Sequence, residues 1–241
     1  MHSGWCVIYK MEIIYEDNHI IVVNKSPGEI VQGDKTGDKP LTESVKAYIK
    51  EAYAKPGAVY LGVVHRLDRP VGGLVVFART SKALTRLNEM FKNGDVKKTY
   101  WAIVAKNDKP DIQSTADENG FIRLEHWLVR NEKQNKSYAF DHEKPHSKHA
   151  VLDYRIIGMS DRYMLAEVNL HTGRHHQIRC QMSKIGLTIK GDLKYGAPRS
   201  NPDGSISLLA RTIEFTHPVS KKHLLLTAPL PDDKLWKVLG E

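Results

Sequence analysis

A single carboxylate stands between two arginines in His65-Arg66-Leu67-Asp68-Arg69-Pro70, which runs into Val71-Gly72-Gly73-Leu74-Val75-Val76-Phe77. Leu61 to Val64 reads as one strand and Leu74 to Ala78 as the next, so Asp68 falls in the connection between them. Pro70 and the paired glycines stiffen that connection, which suits it to hold a side chain still. An ionised carboxylate on such a mount can serve as a nucleophile or as an electrostatic stabiliser. Taken alone, the block is more often an ordinary turn, since Asp is common beside Pro and Gly. Its weight comes from the second half of the chain.

Two further blocks supply it. Lys97-Lys98-Thr99-Tyr100-Trp101-Ala102-Ile103-Val104 reads as a strand with Tyr100 inside it and Lys98 on the same face. Leu170-His171-Thr172-Gly173-Arg174-His175-His176-Gln177-Ile178-Arg179 is followed by Ile185-Gly186-Leu187-Thr188-Ile189-Lys190-Gly191-Asp192-Leu193-Lys194-Tyr195-Gly196. The TGR segment opens a helix with Ile178, Met182 and Ile185 as its buried stripe and Gly186 as its stop. Arg179 projects from the flank of that stripe, toward a cleft rather than open solvent. In this order the three blocks resemble the pseudouridine synthases of the ribosomal-large-subunit type. That family's patterns are an HRLD loop, a K-x-Y-x-A strand and a TGR-x-HQIR helix ending in I-x-GD-x-x-YG. The resemblance runs from about Ile13 to Pro231.

The resemblance implies an isomerase that converts specific uridines in ribosomal RNA or tRNA to pseudouridine. Uracil is detached from its ribose, rotated and rejoined through carbon, so no atoms are gained or lost and no cofactor or metal is required. It implies Asp68 as the essential aspartate, Arg179 as the arginine that pairs with that aspartate, and Tyr100 as the active-site tyrosine. Tyr100 would stack on the base or help remove the proton from carbon 5. A carboxylate shielded from water tends to take up a proton, and a fixed arginine opposes this. A base must be extruded before its glycosidic bond can be reached, and His65 and Arg66 are placed to fill the space it vacates. Lys98, Arg174, His176 and Gln177 are expected to meet RNA, the last three at a helix start that suits phosphate. Lys190 and Lys194 are expected to do the same. The family's usual HRLDxxTSGL is broken at Val71 and Gly72, which stand for its Thr-Ser pair; we read this as a change in loop packing. The sequence lacks the small N-terminal RNA-binding domain of many relatives, which is expected to leave fewer surfaces to select a target.

The elements that must position these residues alternate short strands with a few helices. Ile13 to Tyr15 and Ile20 to Val23 pair around Glu16-Asp17-Asn18. Thr42 caps a helix with Val45, Tyr48, Ile49 and Ala52 on one face. A second helix begins at Ser81, carries Leu84, Leu87, Met90 and Phe91, and stops at Gly94. Residues 107–119 read as an exposed loop. His149 to Ile157, Met164 to Leu170, Leu208 to Phe215 and Leu224 to Ala228 read as strands, and Leu235 to Val238 as a terminal turn. The expected class is α+β, a mixed and mainly antiparallel sheet flanked by helices. The resemblance adds a bend in that sheet and a central RNA-binding cleft. Residues 13–241 are expected to form a single catalytic domain behind a dispensable extension, 1–12, with Met11 as an alternative start.

With 241 residues, 41% hydrophobic and 27% charged, the composition is that of an ordinary globular protein. No apolar run approaches a membrane span and the N-terminus lacks the pattern of a secretory signal. Two cysteines far apart, Cys6 and Cys180, point to a reduced compartment, the cytoplasm by default. The net charge of +8 favours a polyanion. It concentrates between His171 and Arg199, where six Lys/Arg face one acid, Asp192. RNA fits better than a membrane surface, and no obligate protein partner is evident.

Three rival readings are weaker. His142, His146 and His149, or His171, His175 and His176, could suggest a metal, but neither set has ligand spacing with an acid, and the cysteines are isolated. A non-catalytic RNA-binding protein on the same fold would share the charge yet need not keep Asp68, Tyr100 and Arg179 together. A serine hydrolase lacks its G-x-S-x-G elbow.

Overall fold

The computed structural model describes residues 11–33, 37–107, 110 and 115–240. The expectations for residues 1–10, Cys6 among them, lie outside the described residues. In chain order the elements are β1 (Glu12–Glu16), β2 (Ile20–Lys25), α1 (Leu41–Ala52), β3 (Gly62–Val63), β4 (Gly72–Ala78), α2 (Ser81–Asn93), β5 (Lys97–Ala105), β6 (Ile122–Asn131), β7 (Lys136–Phe140), β8 (Lys148–Met159), β9 (Tyr163–Leu170), α3 (Gln177–Lys184), a single 3-10 turn at Leu193–Tyr195, β10 (Leu208–Thr216), β11 (His223–Thr227) and α4 (Lys234–Gly240). The class is α+β, as expected. By packing, the described residues fall into two compact units, those up to 96 with 210–229 and those of 97–209 with those from 230 on.

In the first unit the strands run β1-β2-β4-β10, with β3 added to β4 and β11 to β10. β4 is buried along its whole length and β2 at Ile20 to Val23, so both read as unbroken apolar runs rather than alternating ones. Their antiparallel register sets Val22 against Val76 and Val23 against Val75. Gly73 has φ +113, and a Cβ there would run into the backbone of Ala210, so only glycine fits. α2 is capped as its sequence dictates: Thr80 accepts from the Ala83 N–H, and Gly94 ends it in the left-handed conformation. α1 begins at Leu41, behind Pro40 and without a side-chain cap, and buries Thr42 inside its first turn. The expected Thr42 cap is thus replaced by Pro40, whose fixed φ suits a helix start.

The turn after β1 is held by Asp17, whose Oδ1 accepts from the His19 and Ile20 amides at 2.7 and 2.9 Å. Its Oδ2 lies 2.9 Å from Nε2 of the fully buried His217. The His217 Nδ1 accepts from the amides of Val219 and Ser220, so the ring proton sits on Nε2, on the side that faces Asp17.

The second unit orders its strands β5-β9-β8-β6-β7, and the ladders of β5 with β9, β9 with β8, β8 with β6 and β6 with β7 are all antiparallel. Ile103, Val104, Leu152, Leu165, Ala166 and Val168 form its apolar centre, each at 0% exposure. α3 packs on β6 and β7, while α4 lies against β8 and β9. α4 comes so close that a Cβ on Gly158 would strike the Leu239 carbonyl. The β6–β7 hairpin was not legible as strands, although Leu124, His126 and Leu128 alternate inward. A histidine in the middle of the buried face, Arg130 at its end and two charged residues on the other face break the apolar signal.

Candidate active site

The loop that carries Asp68 is fixed from below. Where β3 stops pairing with Ala78 and Phe77, the chain turns away and the next β4 donor would go unpaired. The His65 ring takes it: Nε2 accepts from the Val76 N–H at 3.0 Å, and the ring stacks on Phe91 at 5.0 Å. The loop tip is closed by the Asp68 carbonyl accepting from Val71 N at 3.0 Å. The Arg69 carbonyl then accepts twice, from Gly28 N at 2.8 Å and from Lys25 Nζ at 3.1 Å. Outside, the Arg69 guanidinium meets Asp38 at 2.6 Å. Val71 is buried, and a Cβ on Gly72 would press on Pro27 Cδ at 3.3 Å, so the substituted pair is packed into the floor of the loop.

Lys25 is the residue here that sequence reasoning missed. It ends a buried strand at 1% exposure, and its ammonium also donates to the Ser26 carbonyl at 2.9 Å. Burial pushes it down to about 8, against the pull of the Glu29 and Asp68 carboxylates. It is therefore a desolvated cation within electrostatic reach of Asp68. A lysine closing a run of Ile and Val was the available signal. Asp68 itself is half-buried and Arg66 exposed. The expectation that His65 meets RNA needs correcting, because its ring is turned inward to serve Val76 and Phe91.

In the second unit, α3 is buried through Gln177 to Met182, not along one stripe only. Arg179 thus sits at 5% exposure and not on a helix flank. Its Nε and Nη2 donate to the two carboxylate oxygens of Asp192 at 2.7 and 2.8 Å, and its Cζ lies 5.1 Å from the centre of the Tyr195 ring. This planar two-pronged pairing fixes the guanidinium. Asp192 is 1% exposed and had not been singled out; being the one acid in a basic segment was its signal. Gly191 before it has φ +87, and a Cβ there would lie 2.8 Å from Asn201 Cγ and from the Ser205 carbonyl.

His176, in the left-handed region at φ 53, leads into this helix. The Tyr195 hydroxyl accepts from Ser137 N at 2.8 Å and is hydrogen-bonded to His176 Nδ1 at 3.0 Å. Burial first, then the positive charges of Arg179, His175, Lys194 and Arg130, push His176 down to about 2. Gln177 accepts on Oε1 from the Thr172 hydroxyl and from Arg174 N, and donates through Nε2 to the Val151 carbonyl. Neither residue is placed as a phosphate contact: both are buried and hold the approach to α3 in shape.

The neutral His176 has a consequence for stability. Its folded value lies far below the unfolded value near 6.5, so the stabilisation is complete above pH 6.5 and is lost as pH falls toward 2. Between pH 7 and pH 5 this one ring should cost about 2 kcal/mol. His176→Asn, which tolerates the left-handed backbone, should flatten that part of the profile. Denaturant titrations at the two pH values check it; an unchanged pH dependence in the variant would refute the assignment.

The other expected contacts differ in placement. Tyr100 is buried on β5 opposite Val168, and Lys98, on the same strand, is half-buried and lowered by that burial. Arg174 is exposed, with Nε on the His149 carbonyl at 2.9 Å. Lys194 is exposed and reaches the Asn135 carbonyl at 3.0 Å, while the half-buried Lys190 donates to Asn201 Oδ1 at 2.6 Å. Cys180 is buried, its thiol pushed up to about 12 by burial, which makes it unreactive. Among the described residues no group of three or more His, Cys, Asp or Glu could hold a metal ion, and no helix is long and apolar enough to cross a membrane.

Comparison with known proteins bears on residues in both units. The family model for RNA pseudouridylate synthase matches residues 19–184. An uncharacterized RNA pseudouridine synthase of Chlorobaculum parvum is 32% identical over 92% of this chain and 71% of its own length. The ribosomal large subunit pseudouridine synthase D of Vibrio cholerae is 31% identical over 95% of this chain and 70% of its own. Among solved structures, human RNA pseudouridylate synthase domain containing 4 superposes with a TM-score of 0.71 at 22% identity, covering 93% of this chain and 90% of that one. At that identity the superposition speaks for the fold.

Proposed function

This chain belongs to the RNA pseudouridylate synthase family, and we propose that it isomerises specific uridines of ribosomal RNA, with tRNA as the second candidate substrate. Similarity to proteins named for the ribosomal large subunit favours the first. Asp68 is proposed as the essential carboxylate, with Tyr100 and Arg179 as its catalytic companions. The observation that carries this reading is the clamp on the Asp68 loop. Gly28 N and the Lys25 ammonium converge on the Arg69 carbonyl, one residue beyond Asp68, and put a buried cation near a half-buried carboxylate. The clamp thus sets a fixed positive charge beside the carboxylate proposed for nucleophilic or electrostatic catalysis.

Arg66, Lys98, Arg174, Lys190 and Lys194 are proposed as RNA contacts, and residues 13–241 as the catalytic domain. The cytoplasm is the proposed compartment. Comparing pseudouridine maps of ribosomal RNA and tRNA from cells with and without the gene tests the substrate. Loss of one or a few sites in ribosomal RNA is expected; unchanged maps in both RNA classes would contradict the proposal.

The isomerisation conserves every atom, and we propose that Asp68 and its companions carry it without a Lewis acid. Exhaustive chelation is expected to leave turnover unchanged. Turnover lost to the chelator and restored by zinc, but not by magnesium, would contradict this and point back to the histidine clusters.

A further inference from the structure

The second unit carries a concavity outside all three proposed catalytic residues. Leu128 and Arg130 of β6, Ser137 of β7, His146, Lys148 at the start of β8, and the Gly173-Arg174-His175 approach to α3 line it. We propose that it is a phosphate-binding pocket for one phosphodiester of the RNA substrate, resting on the pseudouridine synthase reading above.

Charge is the first argument. Arg130, Lys148 and Arg174 bring three cations to it, and among the described residues no carboxylate lines the pocket. Size is the second. The cavity is about 180 Å³, below the roughly 300–1,000 Å³ of pockets that enclose a whole small ligand. It suits a small anionic group on a larger molecule. Shape is the third, because the walls come from rigid elements. The ladders pair Arg130 with Ser137 and Leu128 with Lys148, and Arg174 is tethered to the His149 carbonyl. His175 is held by Ser137 Oγ at 2.9 Å and stacked on His176 at 3.8 Å. Burial and then the charges around it, Arg130 and His175 among them, keep the adjoining His176 from competing as a cation. Arginines read phosphate geometry well, and such contacts fix register on the RNA without reading its sequence.

Arg130→Ala with Lys148→Ala tests this in the full chain. Both side chains are exposed, so the thermal midpoint should hold. RNA affinity is measured across salt concentrations beside a control, Lys50→Ala with Lys55→Ala, which removes equal charge from exposed positions in the first unit. The pocket variant should bind RNA on the order of tenfold more weakly and flatten the log–log salt slope by about 0.7, for the one phosphate no longer neutralised. KM should rise by the same factor as Kd, and Arg130→Lys with Lys148→Arg should restore most of the slope. An unchanged slope, or equal losses in the control, overturns the pocket. A wild-type chain that forms no pseudouridine at all would instead overturn the function it rests on.

Discussion

Asp68→Asn is expected to lower pseudouridine formation by at least about ten-thousandfold while RNA affinity stays within about threefold. Asparagine has nearly the same shape but neither the charge nor the nucleophilicity of a carboxylate. The loop should survive the change, because its turn is closed by the main-chain carbonyl of Asp68 accepting from Val71 N. Its other fixings are the carbonyl of Arg69, held by Gly28 and Lys25, and the His65 ring on Val76. A folded, RNA-binding and inactive variant is therefore the expected result, read by binding and turnover on the same preparation. Clear turnover by pure Asp68→Asn protein would remove the carboxylate from the chemistry.

Arg179→Lys comes second in expected size. The charge is kept, but an ammonium is a point donor and cannot reproduce the two parallel bonds to Asp192 at 2.7 and 2.8 Å. With arginine and aspartate at 5% and 1% exposure, the loosened pair stays in a desolvated site, and a weakened buried pair costs stability. Turnover should fall on the order of a hundredfold, about 3 kcal/mol of transition-state stabilisation, mainly in kcat. The split between kcat and stability is informative. A variant with a lowered thermal midpoint but normal kcat at low temperature would make Arg179 a structural residue only.

Most of the strand and helix pattern was legible because burial and period coincide in it. β2 and β4 are unbroken apolar runs, and α2 carries both its caps in its sequence. The β6–β7 hairpin was missed because His126 lies on its buried face, where Gln181 Nε2 reaches its Nδ1 at 3.0 Å. Such a hydrogen-bonded polar residue inside a core leaves no trace in an apolar count. The three motif blocks put forward Asp68, Tyr100 and Arg179, the residues proposed above as catalytic. Sequence spacing alone could not tell which neighbouring polar groups face solvent. His65, His176 and Gln177 all proved to be hydrogen-bonded parts of the scaffold. Lys25 and Asp192 differ in the opposite sense: each is a charged residue that the fold buries almost completely, which spacing along the chain does not reveal.

The most direct measurement is nucleoside analysis of uridine-containing RNA after incubation with the purified chain, wild-type and Asp68→Asn in parallel. Wild-type protein should convert uridine to pseudouridine one for one, without added cofactor, and the Asp68→Asn protein should leave uridine intact. Equal pseudouridine with both proteins, or none with wild-type protein on ribosomal RNA and tRNA lacking the modification, would contradict the account.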